Sequence, residues 1–251
     1  MTSSILQCGT KQLDLSRPSV MGIVNVTPDS FSDGGDLYAN AQLDLSKTLS
    51  VIEKMLTDGA DIIDIGGEST RPGASSVSAQ QELDRVLPVL ESVIERFDTL
   101  VSVDTSTAVV MAEAAKKGAS LINDVRALTR EGALASAAMT QLPVCLMHMQ
   151  NQPQTMQNEP TYTDVVTEVL AFLAERKNSC MTAGIDSKKI ILDPGFGFGK
   201  TLAHNLTLFS AIDQFVGTGH PVLVGVSRKA MIGQMLGLEH TEQRLMGSVT
   251  L

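Results

Sequence analysis

DIIDIGGESTRPGA, Asp61 to Ala74, is the stretch that decides the fold. Its first five residues (DIIDI) read as a short buried strand, and the nine that follow put three glycines, an acid, two hydroxyls, an arginine and a proline into one loop. Such a loop buries itself poorly and holds a polar ligand well. Asn25 to Gly35 (NVTPDSFSDGG) repeats the arrangement after the apolar residues Val20 to Val24, and Asp193 to Lys200 (DPGFGFGK) repeats it after Ile190 to Leu192. Three polar loops that each follow a strand gather on one face of a parallel sheet or barrel.

Outward from these loops the chain alternates. Val20–Val26, Asp61–Ile65, Leu100–Asp104, Ser120–Asp124, Pro143–His148, Lys189–Asp193 and Pro221–Val226 are rich in Val, Ile or Leu, as strands covered on both faces are. Helical spacing of apolar residues marks 41–58, 80–97, 107–117, 132–140, 163–183, 204–218 and 229–236. Gly59, Gly118, Gly184 and Gly219 stand where helices should stop. Repeated βα units predict an α/β fold, a (β/α)8 TIM barrel, as one domain over 1–251. Thr241–Leu251 reads as the start of a further helix, so the expectation is a barrel lacking its eighth strand and truncated at the C-terminal end. A doubly wound open sheet is the structural alternative. Residues 1–18 predict an N-terminal hairpin, with Ile5–Leu6 and Leu13–Leu15 joined through Gly9.

A net charge of -9 and a pI near 4.9 argue against nucleic acid or an anionic membrane as partner, and leave any anionic substrate to local cations. The start lacks a secretory pattern and no segment has the length of a membrane span, which predicts a cytoplasmic protein. Cys8, Cys145 and Cys180 are expected to be buried free thiols.

The strand ends supply Asn25, Asp64, Asp104, Asn123, His148, Asp193, Ser227, Arg228 and Lys229. Asp, Asn and Ser also cap helices for local reasons, but caps do not account for nearly every strand ending this way. Asp104, Asn123 and Asp193 offer acceptors and one amide donor among aliphatic walls, which suits a flat heterocycle with amino and ring N–H groups. Lys229, Arg228 and Arg71 are the cations available for a phosphate or a carbonyl oxygen. The alternating glycines of 195–199 fit neither a P-loop nor a Rossmann turn. They predict a tight strand-to-helix turn with Phe196 or Phe198 lining a pocket. His148 reads as a hydrogen-bonded wall residue, while His204, His220 and His240 are expected to face solvent.

MGIVNVTPDSFSDGG (Met21–Gly35), DIIDIGGESTRPGA, SVDTS (Ser102–Ser106), INDVRAL (Ile122–Leu128), PVCLMHMQ (Pro143–Gln150), ILDPGFGFGK (Ile191–Lys200) and VGVSRKAMIG (Val224–Gly233) together resemble the dihydropteroate synthase family, in its order and over nearly the whole chain. The resemblance implies a transferase of folate biosynthesis. It condenses 6-hydroxymethyl-7,8-dihydropterin diphosphate with 4-aminobenzoate to give 7,8-dihydropteroate and diphosphate, as a likewise barrel-shaped cytosolic homodimer. It implies that Asp104, Asn123 and Asp193 bind the pterin ring, that Lys229 binds pterin and helps form the aminobenzoate site, and that Asp104, Asp193 and Lys229 are catalytic. Asn25 would belong to the magnesium (Mg2+) and diphosphate site, Thr70 and Arg71 to the diphosphate, and Ser227 and Phe198 to the substrate pocket. Thr27–Tyr38 and Ser69–Ser76 resemble the family's two mobile loops. Two departures stand out: Ala230 occupies a position where the family often has Ser, and the family's final Arg-x-His motif is not within these residues. A pterin-dependent methyltransferase and a non-catalytic pterin-binding homologue are the alternatives; the first needs neither the GGESTRPGA loop nor the SRK run.

Overall fold

The computed structural model describes residues 4–27, 38–39, 42–70, 77–151, 155–156 and 159–250. β1 (Ile5–Cys8) and β2 (Lys11–Asp14) form an antiparallel hairpin turned at Gly9. β3 (Met21–Asn25) is followed by a small ladder of β4 (Tyr38–Ala39) and β5 (Gln42–Leu43), then by α1 (Leu45–Thr57). The helix expected from residue 41 starts at Leu45 because 42–43 are committed to that ladder and the Asp44 carboxylate caps the Lys47 N–H.

The units that follow are β6 (Ile62–Gly66) with α2 (Ala79–Arg96), β7 (Leu100–Asp104) with α3 (Ala108–Lys116), β8 (Leu121–Asp124) with α4 (Ala133–Thr140), and β9 (Val144–Met147) with α5 (Val165–Thr182). β10 (Ile190–Asp193) leads to α6 (Leu202–Ser210) and α7 (Ile212–Val216), two helices where one was expected. The chain tightens at Ala211, whose N–H reaches Leu208 O, and the turn lets both Leu208 and Phe215 bury fully. α8 (Ala230–Leu236) and α9 (Leu245–Thr250) complete the described chain.

Six parallel strands pair in the order β3-β6-β7-β8-β9-β10. The sheet has barrel curvature, but it does not close among the described residues. The strand expected at Pro221–Val226 is reduced to one parallel bridge between Val222 and Leu192, held by the Leu192 N–H on Pro221 O and the Leu223 N–H on Leu192 O. Beyond Leu223 no ladder partner lies on either side among the described residues, and Val224 is 42% exposed. No further strand follows Val226 among the described residues.

The period of two along each strand sorts its side chains between two cores. Ile63, Ile65, Val101, Val103, Ile122, Val144 and Leu192 face outward into the helix layer, where Val86, Val89, Leu90 and Val93 of α2 cover those of β6 and β7. Ile62, Leu100, Leu121, Cys145 and Ile191 face inward at the strand starts and pack on Leu6, Cys8 and Leu13 of the hairpin. The hairpin therefore plugs the amino-terminal end of the barrel. Gly59, Gly118, Gly184 and Gly219 all take positive φ at the ends of their helices, as their spacing predicts. All three cysteines are buried free thiols.

Candidate active site at the carboxyl ends of the strands

Two residues beyond the inward apolar layer, the same faces of the strands turn polar: Asp64 on β6, Ser102 and Asp104 on β7, Asn123 on β8 and Asp193 on β10. Asp104 lies directly opposite Gly66 and Asn123 in the ladder. Gly66, without a side chain, leaves Asn25 and Asp104 in reach of the same space; a Cβ there would sit 3.5 Å from Asn25 Oδ1 and 3.6 Å from Asp104 Cβ. Asn123 Nδ2 donates to Asp64 Oδ2 at 3.2 Å. Asp193 Oδ1 accepts from the Gly195 N–H at 2.7 Å.

Carboxylates crowded in an apolar-walled mouth resist ionisation. Burial, then the charges of Asp64, Asp124, Glu82 and Glu68, hold the Asp104 carboxyl well above its ordinary range. Burial likewise raises Asp64 and Asp193, the latter opposed by Lys229, the Gly195 N–H and Lys200. A guest offering N–H groups or positive charge relieves this crowding, and an anionic guest would worsen it.

The cations stand beside Asp193. Lys229, half-buried at the start of α8, donates from Nζ to Phe196 O at 2.5 Å and lies 4.7 Å from the centre of the Phe198 ring. Burial pushes its ammonium down to about 8, against the pull of Asp193. Lys200 is buried in the 195–199 turn: Nζ donates to Gly195 O (2.8 Å), Phe198 O (3.0 Å) and His148 O (3.3 Å), and meets His148 Nδ1 at 2.9 Å. This staple fixes the loop that carries both phenylalanines. Gly195 has no alternative, since a Cβ there would fall 1.9 Å from His148 O.

A second polar cluster holds the base of the GGEST loop. Glu68 accepts from both terminal nitrogens of Arg126 at 3.0 and 3.1 Å, and from Arg130 at 3.1 Å. Glu82 of α2 accepts from the hydroxyls of Thr105 and Thr107, and Asp124 accepts from Ser106 Oγ and from the N–H groups of Arg126 and Leu128. Ala127 and Leu128 have left-handed backbones, φ 50° and 61°, steadied by Arg176, which donates to both of their carbonyls. Gly67 approaches α2 so closely that a Cβ would fall 2.7 Å from Val86 Cγ2.

The structure thus brings Asp104, Asn123, Asp193 and Lys229 to one mouth, with Phe198 beneath Lys229 and Asn25 on the neighbouring strand end. Thr70 is half-buried at the foot of its loop, and Ser227 is exposed in the turn before Lys229. Arg71, and most of the loops 27–38 and 69–76, lie outside the described residues. Of the two candidate pocket phenylalanines, Phe196 is fully buried against Phe209, so Phe198 alone faces the mouth. His148 is a wall residue, edge-on to Phe172 at 5.0 Å. His204 and His220 are half-buried, contrary to expectation: His204 caps α6 and packs on Tyr162, and His220 Nδ1 meets Ile190 O at 3.3 Å. Sequence reasoning missed Lys200, the Glu68–Arg126–Arg130 cluster and the tie from Asp64 to Asn123. Only the register of neighbouring strands and loops makes those contacts.

A parallel barrel whose carboxyl end gathers several buried acceptors and an amide beside a half-buried lysine suits a flat, nitrogen-rich heterocycle. The profile of the pterin binding enzyme family matches residues 21–251. The chain is 54% identical over 243 residues to the dihydropteroate synthase of Haemophilus influenzae, covering 97% of this chain and 86% of that one, and 54% identical over 237 residues to that of Escherichia coli, covering 94% and 82%. Among solved structures, a Yersinia pestis dihydropteroate synthase with a sulfonamide drug matches at TM-score 0.93 and 53% identity, over 98% of this chain and 87% of that one. The Xanthomonas albilineans dihydropteroate synthase with 4-aminobenzoic acid matches at 0.90 and 46%, over 99% and 87%. The chain belongs to the pterin-binding enzymes and, within them, to the dihydropteroate synthase family.

Proposed function

We propose that the chain joins 6-hydroxymethyl-7,8-dihydropterin diphosphate to 4-aminobenzoate, releasing diphosphate and forming 7,8-dihydropteroate. The observation that carries this reading is the convergence of Asp104, Asn123, Asp193 and Lys229 on one mouth, in a chain so similar to the synthases named above. The carboxylates of Asp104 and Asp193 pair with pterin N–H groups, and the Asn123 amide supplies a donor and an acceptor in one plane. The Lys229 ammonium meets the pterin carbonyl and borders the aminobenzoate position over Phe198.

The bond from the pterin methylene to the diphosphate oxygen breaks as the arylamine nitrogen forms the new C–N bond; the amine then loses its proton. Positive charge that builds on the reduced pterin is held by Asp104 and Asp193, groups fixed before the reaction begins. Thr70 and Arg71 take up the diphosphate, and Ser227 borders the substrate pocket. Magnesium commonly needs only one or two protein oxygens beside phosphate and water. The Asn25 amide oxygen at the mouth fits such a role, and a bound magnesium would neutralise charge on the leaving diphosphate. The described residues contain no cluster of three or more His, Cys, Asp or Glu side chains able to hold a metal alone, so the diphosphate would have to complete the shell. No helix among the described residues is long and apolar enough to cross a membrane. A cytoplasmic homodimer belongs to this reading through the family likeness.

Dihydropteroate formation by the purified chain with both substrates and magnesium tests the reaction. Asp104→Asn and Asp193→Asn should each weaken pterin binding by about tenfold or more, the worth of a hydrogen bond to a charged group. Thermal melts should change little, because Asp104→Asn also removes a crowded charge. Unchanged pterin affinity in both variants would remove the cradle from the mechanism.

A further inference from the structure

Below the mouth lies a carboxylate that the reaction above does not use. Asp64 is 2% exposed, faces the barrel interior from β6, and sits one layer under the substrate groups. Its Oδ2 accepts from Asn123 Nδ2 at 3.2 Å across the intervening strand β7; Ser102, opposite Asp64 in the ladder, offsets part of the cost of burying the carboxyl, although its Oγ and Asp64 Oδ1 form no hydrogen bond of good geometry. A buried carboxylate so placed is costly, and barrels usually fill this layer with aliphatic side chains. Strand packing gives no reason for it, since Ile62 and Ile65 already bury their side chains on the two faces of β6.

The amide of Asn123 has two orientations of nearly equal shape and opposite hydrogen-bond meaning. A carboxylate oxygen accepts, so contact with Asp64 turns the amide nitrogen inward and leaves the carbonyl oxygen and one N–H for the mouth. That donor-acceptor edge is the complement of an N–C–NH2 edge, such as a 2-aminopteridine presents. A 2-oxopteridine presents the reversed pattern, N–H beside C=O, and needs the amide flipped.

We propose that Asp64 is a positioning residue which, by fixing the Asn123 amide, makes the site select 2-amino over 2-oxo pteridines. This rests on the reading of the mouth as a pterin cradle. Asp193 adds its own preference for the amino form, so loss of Asp64 removes part of the selectivity and not all of it. With the tether gone, the amide rotates to suit either guest.

The test is calorimetric titration of the full chain with 6-hydroxymethylpterin and with the matching 2,4-dioxopteridine. The wild type and Asp64→Leu, an apolar replacement of similar volume, are compared. The expected result is a clear preference of the wild type for the pterin and a fall in that preference of about tenfold in the variant, the scale of one net hydrogen bond. A structural role alone would weaken both ligands equally, and an unchanged ratio overturns the proposal. A wild type that binds neither pteridine overturns the cradle and this inference with it. A second measurement on the wild type covers the case of an unfolded variant: the Asn123 side-chain amide protons, assigned by their loss in Asn123→Asp, should exchange slowly with solvent in the ligand-free protein. Rapid exchange of both protons overturns the proposal as well.

Discussion

At the scale of the residue, burial sets the chemistry of His148 and Lys200. Burial first, then the Lys200 charge, pushes the His148 imidazole down to about 3 from an ordinary 6.5, and burial pushes the Lys200 ammonium down to about 7. His148 Nδ1 therefore acts as an acceptor for Lys200, with its proton on Nε2. Above pH 6.5 the imidazole is neutral in both the folded and unfolded chain, and its full contribution to stability is present. Between 6.5 and about 3 the unfolded chain binds a proton that the folded chain refuses, so stability falls as pH falls. The expected slope from this group is about 1.4 kcal/mol per pH unit within that window. His148→Gln keeps an acceptor for Lys200 and removes the titration. Urea unfolding from pH 3.5 to 7 should then give a flatter acid limb in the variant, and parallel profiles would refute the account.

At the scale of the element, the loops after β6 and β8 are locked together by a buried ion pair, with a second, more exposed one beside it. Glu68 and Arg126 are 6% and 4% exposed and meet through two parallel hydrogen bonds, which ties the start of the GGEST loop to the strained turn at Ala127 and Leu128. Arg130 reaches Glu68 from the same turn but is 39% exposed. Removing one partner of a buried pair leaves a charge without compensation. Arg126→Met should cost about 3–5 kcal/mol, tempered by Arg130, whereas Glu68→Gln with Arg126→Met should cost less than the sum of the two single changes. Denaturant unfolding of the three variants gives the coupling, and additive losses would show that the pair does not act as a unit. The same view explains the buried Glu82, whose carboxylate is raised by burial and held by Thr105 and Thr107: it fastens α2 to the loop after β7.

At the scale of the whole molecule, the barrel separates stability from function along its axis. The hairpin side chains Leu6, Cys8 and Leu13 close the amino-terminal end on Ile62, Leu100, Leu121, Cys145 and Ile191, away from the mouth. Leu6→Ala should cost about 2–5 kcal/mol, as truncation of a buried leucine does. Pterin affinity should stay unchanged, because the polar layer lies between the plug and the ligand. Urea unfolding and calorimetric titration on the same preparation check both halves, and a parallel loss of affinity would show that the plug is coupled to the mouth.

Much of this was legible in the chain itself. Apolar runs bounded by Gly59, Gly118, Gly184 and Gly219 determined the βα order, because strand burial and helix termination are local matters. Polar residues at strand ends marked Asp104, Asn123 and Asp193, because a strand of period two must aim its last inward residue at the mouth, whereas Lys229 reaches the mouth from the start of α8. The shortfall lay where partners are distant. Pro221–Val226 has the composition of a strand, yet a strand forms only where neighbours complete its ladder, and Val222 alone finds one. Lys200 looked like the end of a glycine turn until four acceptors closed around its ammonium. Asp64 read as one more strand-end acid, and only the curvature that brings β6 within reach of β8 sets it under Asn123. Local propensity and pattern decided which elements exist; the register between elements decided which charges meet.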